Sequence, residues 1–236
     1  MPEPIVFLPP MLCDARAFAH QIMAFSATSP VMCLPTGLAD TMEQIAREIL
    51  TQAPPRFALA GLSMGGCIAL EVVRQAPGRV TRLALINTTA QSELPEIAAA
   101  REPRIVAARA GRFCDVVHAE LPPSAIGQGP YRSDTLDAMG DMARDVGADA
   151  YVMQARAMQR RPDQTPTLRK MRQPTLVLSG GEDTVYPLRR QQFMAELIPY
   201  AQHRVIAGAG HLPTLEAPQA AADALRDWMQ QPLVLR

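Results

Sequence analysis

The chain has 236 residues, 48% of them hydrophobic, enough for one α/β domain with a full core and short of two independent ones. Its 23 basic and 23 acidic residues cancel, which removes the one-signed field that nucleic acid or an anionic membrane surface calls for and leaves a small-molecule partner as the expectation. The four cysteines, Cys13, Cys33, Cys67 and Cys114, form no C-x-x-C pair and join no His/Cys cluster of zinc spacing, so they read as reduced, small apolar fillers. No apolar run reaches the ~20 residues of a membrane span. The acid and prolines of "MPEPIVFLPP" interrupt any signal-peptide pattern, so a cytoplasmic protein, monomer or homodimer, is expected.

Short apolar runs alternate with helical patterns along the chain. The runs are "IVFL" (5–8), "VMCL" (31–34), "FALAG" (57–61), "VTRLALIN" (80–87), "TLVLSG" (175–180) and "HRVIAG" (203–208). Strands apolar on both faces and separated by helices predict a parallel sheet covered on both sides. Helices are expected at 15–27, at 41–52 with Asp40 or Thr41 as cap, and at 64–76, 188–198 and 216–230. Between the fourth and fifth strands this rhythm stops. Residues 92–168 offer no strand, only three or four short amphipathic helices broken at Pro103, at "LPPSAIGQGP" and at Gly147. The expected organisation is therefore an α/β core of 1–91 and 169–236 with a helical insertion at 92–168.

The stretch "FALAGLSMGGCIALEVV" (57–73) places a lone polar residue, Ser63, among glycines where a strand becomes a helix. An alcohol is a poor nucleophile unless a base takes its proton and the oxyanion formed is stabilised. A tight strand-to-helix turn holds such an oxygen proud of the sheet edge beside the positive end of the new helix. Its crowding requires glycine two residues before and after, where Gly61 and Gly65 stand. A base is available in His211, within "AGAGHLPTLEAP" after the last strand, whereas His20 lies in a helix, His118 in the insertion and His203 at a strand start. An orienting acid is available where "LVLSGGEDTVYP" ends the fifth strand with Glu182 and Asp183. Each of these loops falls at the carboxyl edge where parallel sheets assemble their sites.

With "GLSMGG", "SGGEDTVYP" and "GAGHLPTLEAP" in the order Ser, acid, His, the sequence resembles the α/β-hydrolase superfamily over nearly its whole length, and especially its small single-domain esterases, lactonases and vitamin-pathway members. The resemblance implies a doubly wound, mostly parallel sheet of about six strands, the first lying between the second and third, with the insertion as a helical cap. It implies Ser63 as nucleophile, His211 as general base and then acid, and Asp183 rather than Glu182 as the carboxylate that orients it. The family's usual His-Gly after the first strand is replaced by Pro9 and Pro10, which have no N–H to give. Met11 offers the first available N–H and stands where the family's donor stands, and the resemblance implies Met64, directly after the nucleophile, as the second backbone N–H of the oxyanion hole. Cys13, without a paired base, is expected to pack rather than react.

The implied activity is hydrolysis of a carboxylic ester, lactone or thioester through an acyl-enzyme, with neither metal nor cofactor. The alternatives are a triad-dependent lyase or C–C hydrolase acting on a carboxylated metabolite, and a non-enzymatic binding protein. Leu12, Leu212, Arg156 and the "TTA" after the fourth strand are expected to line the pocket. Arg132, Arg144 and Arg160 are further candidates, with Arg156, for a carboxylate clamp.

Overall fold

Six short segments, the inner four apolar and buried on both faces and the two edge ones only partly buried, pair side by side in parallel in the computed structural model, which describes residues 2–120 and 122–233. They are β1 (Ile5–Leu8), β2 (Val31–Cys33), β3 (Phe57–Leu62), β4 (Val80–Ile86), β5 (Thr175–Gly180) and β6 (Ala201–Ile206). The sheet order is β2-β1-β3-β4-β5-β6, so the first strand lies between the second and third as expected. Side chains alternate across the sheet with period two. Val6, Leu8, Leu59, Leu83, Leu85 and Val177 enter one apolar cluster. Ile5, Phe7, Ala60, Ala84, Ile86 and Leu178 enter the other.

Helices cover both faces: α1 (Ala19–Ser26), α2 (Met42–Gln52), α3 (Met64–Gln75), then α4 (Pro95–Arg109), α5 (Phe113–Glu120), α6 (Arg132–Gln159) and α7 (Thr165–Lys170) between β4 and β5. After β5 come α8 (Leu188–Leu197), α9 (Pro213–Glu216) and α10 (Pro218–Met229). Thr41 caps α2, its Oγ1 accepting from the N–H of Gln44 at 3.3 Å. No described helix is long and apolar enough to cross a membrane.

Several boundaries differ from the sequence expectation, each for a local reason. The last strand starts at Ala201 rather than His203, in register with Thr175. The first helix opens as a 3₁₀ turn over Ala15–Phe18, capped by the Asp14 carboxylate on the N–H of Arg16. The final helix is two, because Ala217 leaves helical geometry (φ −143°, ψ 62°) ahead of Pro218. Pro103 does not break α4, which runs through it. Pro103 and Ala99, whose carbonyl loses its usual donor to the proline, both lie on the exposed side, where that carbonyl is open to solvent. Gly147 does bend α6, with φ 78° and ψ 170°. The segment 121–131 carries one 3₁₀ turn, Pro123–Ala125, among its described residues, and α7 runs across the expected junction at 168. Cys114 is exposed rather than a buried filler, whereas Cys13 and Cys67 are buried.

Candidate active site

β3 passes into α3 through one residue, Ser63, whose φ of 54° and ψ of −115° are unusual for a side-chain-bearing residue. The turn closes so tightly that a Cβ on Gly61 would lie 2.3 Å from the Gly65 carbonyl oxygen, and one on Gly65 would lie 2.1 Å from that of Leu8. The Ser63 N–H donates to the Ile86 carbonyl at 2.9 Å, and its own carbonyl accepts from Thr88 Oγ1 at 2.6 Å. These bonds tie the strained residue to the end of β4 and hold its hydroxyl at the carboxyl edge of the sheet.

His211 meets that hydroxyl. Its Nε2 lies 3.0 Å from Ser63 Oγ, and its Nδ1 lies 3.0 and 3.1 Å from the two carboxylate oxygens of Asp183. All three residues are buried. Asp183 Oδ1 also accepts from the N–H groups of Val185 at 2.8 Å and Tyr186 at 3.2 Å, which fixes the carboxylate's orientation. Glu182 is exposed and turned away, accepting from the Gln128 N–H at 3.3 Å. The other histidines stay outside the array. His20 and His118 are exposed, and His203, whose imidazole burial biases toward the neutral form, lies 2.9 Å from Ser179 Oγ.

A cavity of about 70 Å³ opens over Ser63 and His211 and is lined on the sheet side by Pro10, Met11, Leu12, Met64 and Tyr186. Among the described residues no acceptor of the chain is hydrogen-bonded to the N–H of Met11 or Met64. Cys13, beside this loop, is buried and its thiol is pushed up to about 12 by burial and then by Asp14, the state of a packing residue. No group of three or more metal-ligating side chains occurs among the described residues.

Other expected pocket residues go elsewhere. Leu212 packs in the core, and its N–H donates to Glu216 Oε1 at 2.7 Å. Thr88 holds the Ser63 carbonyl rather than a ligand. None of the four named arginines lines the cavity. Arg156 pairs with Glu102 and Gln159, Arg144 with Asp141 and Arg160 with Asp40, while Arg132 donates to the carbonyls of Pro123, Ile126 and Gly127. Each is already partnered by a neighbour on its own surface, the ordinary fate of a helix arginine.

The insertion instead presents Arg101 and Glu120, which line the cavity with Met158. Arg101 grips Glu93 through Nε (2.8 Å) and Nη2 (3.0 Å) and reaches Glu120 through Nη1 (3.2 Å). Tyr151 donates to Glu120 at 2.8 Å, and Arg161 to Glu93 at 2.6 Å. Burial alone disfavours charge on Arg101 and Glu93, but their mutual hydrogen bonds and opposite charges win, so the arginine is raised and the glutamate lowered. A signal for Arg101 existed in the sequence: it shares a helical face with Ile105 and Ala108, at i+4 and i+7, and all three are buried.

Two further residues escaped the sequence reading although they stand inside the quoted stretches. Asn87, with φ 38°, donates from Nδ2 to the carbonyls of Gly210 (2.8 Å) and His211 (2.9 Å) and accepts at Oδ1 from Gly180 N–H (2.9 Å). It thereby joins the ends of β4 and β5 to the histidine loop. Glu216 accepts from the N–H groups of Gly127 (2.7 Å), Gly210 (2.6 Å) and Leu212 (2.7 Å) and so braces both flanks of His211.

A serine on a strand-to-helix elbow at the carboxyl edge of a parallel sheet, with an aspartate and a histidine from the last two strand loops, defines the class of α/β hydrolases. The chain belongs to the alpha/beta hydrolase family, whose model matches residues 12–224. It is 30% identical over 204 residues to a pimeloyl-[acyl-carrier protein] methyl ester esterase of Aromatoleum aromaticum, a match covering 79% of each chain. It is also 30% identical over 176 residues to a poly(3-hydroxyalkanoate) depolymerase of Ectopseudomonas oleovorans, covering 72% of this chain and 60% of that one. Among solved structures, a thermophilic esterase from Thermogutta terrifontis superposes with a TM-score of 0.87 at 25% identity, covering 97% of this chain and 89% of the other.

Proposed function

We propose that the protein is a serine esterase that cleaves a carboxylic ester of a small molecule through an acyl-enzyme on Ser63. The observation that carries this reading is the continuous chain of contacts from Ser63 Oγ through His211 to Asp183, at 3.0 Å on either side of the imidazole. The ester hydrolases among its relatives support the reaction class. In this reading His211 Nε2 takes the Ser63 proton as Oγ attacks the ester carbonyl, and Asp183 accepts the Nδ1–H and steadies the imidazolium. The N–H groups of Met11 and Met64 donate to the oxyanion. Collapse expels the alcohol, protonated by His211, and a water activated by the same imidazole releases the acid. With about 70 Å³ beside Ser63, the group buried there is small, such as a methyl or ethyl ester alkyl or a short acyl chain.

The test uses a fluorophosphonate probe and p-nitrophenyl esters of short, medium and aromatic acids. The probe is expected to label Ser63, with labelling lost in Ser63→Ala and largely lost in His211→Ala. Rapid quenching with a short ester is expected to trap an acyl adduct on Ser63. Labelling without adduct or turnover on any of these esters overturns the esterase reading in favour of the lyase or C–C hydrolase. Equal labelling of Ser63→Ala removes the nucleophile itself.

A further inference from the structure

Among the described residues, three that are not glycine have positive φ: Leu12 (62°), Ser63 (54°) and Asn87 (38°). All three belong to the loops that build the candidate site, and strain of this kind persists only where the surroundings hold it. Ser63 is held through the end of β4, and Asn87 by the three bonds of its own amide. Leu12 is the third residue of a turn that the Cys13 N–H closes on the Pro10 carbonyl at 3.2 Å, and it is held from outside the sheet as well. Its N–H donates to Gln154 Oε1 at 3.0 Å, and Gln154 lies on α6, in the segment between β4 and β5.

We infer that Gln154 is a positioning residue for the oxyanion hole, clamping the Met11–Leu12 peptide so that the adjoining Met11 N–H faces the cavity. The inference rests on the proposed role of Ser63 and Met11. Its physical basis is the coupling of neighbouring peptide planes. Fixing Leu12 N–H fixes ψ of Met11, and the left-handed Leu12 beyond it turns the chain away from the site. A leucine has no intrinsic preference for that conformation, so without the clamp the Cys13–Pro10 bond alone is left to hold the turn, and the Met11 amide loses its fixed direction.

Gln154 is itself constrained. It is fully buried; the Leu12 N–H can only donate, which turns Oε1 toward it, and Nε2 then donates to Thr36 Oγ1 at 3.2 Å. Its flank forms part of the wall of a second cavity of about 390 Å³, lined also by Pro9, Cys13, Leu34, Thr36 and Val146. Truncation to alanine would extend that cavity to Leu12 N–H and admit a water as substitute acceptor. Methionine fills the same volume without a comparable acceptor, which makes Gln154→Met the discriminating change. In Gln154→Glu a carboxylate keeps the acceptor for Leu12, and the Thr36 hydroxyl reverses to donate.

The experiment measures kcat per fluorophosphonate-titrated site, KM, and the affinity of a trifluoromethyl ketone, whose hemiketal oxygen occupies the oxyanion position. Gln154→Met is expected to lower kcat per site roughly 10- to 100-fold with KM within about twofold, and to weaken the ketone by the same factor as kcat/KM. Gln154→Glu is expected to restore most of both. Thr36→Val, which frees the amide without removing it, is expected to show the same signature at roughly threefold and gives the readout if Gln154→Met does not fold. A purely structural role would lower the titratable fraction and the melting temperature while sparing kcat per site, and that result overturns the inference. So does a loss of kcat with unchanged ketone affinity. Failure of the wild-type protein to label at Ser63 is a different result, because it removes the esterase reading on which this one stands.

Discussion

At the carboxyl edge of the sheet, Ser63, Asp183 and His211 are held largely through backbone. Ser63 N–H bonds a strand carbonyl, Asp183 collects two loop amides, and the histidine loop is stitched by Asn87 and Glu216 onto carbonyls and N–H groups. Across the cavity, Arg101 and Glu120 are held by other charged side chains, chiefly Glu93, Arg161 and Arg104. The first wall rests chiefly on backbone N–H and carbonyl groups, which neither titrate nor change rotamer, with the Asn87 and Glu216 side chains as braces, so it supplies fixed distances. The second is built from ionised groups whose energy depends on every partner remaining charged. An oxygen, an imidazole and a carboxylate aligned to tenths of an ångström stand on the first wall, and a network of ion pairs stands on the second.

The largest effect that breaks this contrast lies on the sheet side. Asp183→Asn keeps the shape of the acid but presents an amide to His211 Nδ1, favouring the wrong tautomer, and is expected to lower kcat on the order of 10⁴-fold. Glu182→Gln, one residue away and solvent-exposed, is expected to stay within about threefold, since only a rim hydrogen bond changes. Side-by-side kinetics on one ester decides it. A greater loss at Glu182 than at Asp183 would falsify the choice of acid.

The next effect belongs to the opposite wall. Removing the Glu93 charge by Glu93→Gln leaves buried Arg101 with Glu120 alone and takes from buried Arg161 its carboxylate partner, at a cost of about 3 kcal/mol at neutral pH. The Glu93 carboxyl is held below the ordinary glutamate range in the folded protein. As pH falls, the unfolded chain therefore takes up this proton first, and the stabilisation present above about pH 4.3 is lost as pH drops through the folded value. Denaturant titrations are expected to show the wild type and Glu93→Gln converging as pH falls below the ordinary glutamate range. Glu71, likewise lowered by Arg74, Gln75 and Gln164, contributes acid sensitivity common to both proteins and cancels in the difference. Parallel stability curves would mean that Glu93 is not the group being titrated.

The two walls were unequally legible in the sequence for the same physical reason. Backbone-built sites leave local marks: Gly61 and Gly65 at fixed distances from Ser63, and strand ends that bring residues 183 and 211 to one edge. Even there the braces were missed, because an Asn at a strand end and a Glu three residues after a Pro look like ordinary turn and helix residues until their partners at residues 210–212 are known. A side-chain-built wall leaves only a faint local mark, here the spacing of Arg101 with Ile105 and Ala108. Glu93, Arg101 and Glu120 are 8 and 19 residues apart along a segment rich in arginine. Choosing Arg101 over Arg156 required knowing which helix face is covered, and the weak amphipathicity of α4 blurred that face. The helix through Pro103 was misjudged because exposure of the Ala99 carbonyl, which makes the proline tolerable, is a tertiary fact.

The smallest expected effect asks whether the backbone wall stores strain. Ser63→Ala and Ser63→Gly both remove the hydroxyl, and they differ in whether a Cβ remains at φ 54° and ψ −115°. Glycine adopts that geometry without steric cost, a relief of about 1–3 kcal/mol, against which its greater freedom in the unfolded chain costs about 0.4–1 kcal/mol. Ser63→Gly is therefore expected to be the more stable of the pair by about 1 kcal/mol. At Ala100, exposed and inside α4 on the opposite side of the cavity, Ala100→Gly has no strain to relieve and is expected to lose about 1 kcal/mol. Urea midpoints of these three variants and the wild type give both signs in one experiment. Opposite signs locate strain at Ser63, whereas a Ser63→Gly midpoint below that of Ser63→Ala would place the tension of the elbow in its neighbours, Gly61 and Gly65, and not in the residue that carries the hydroxyl.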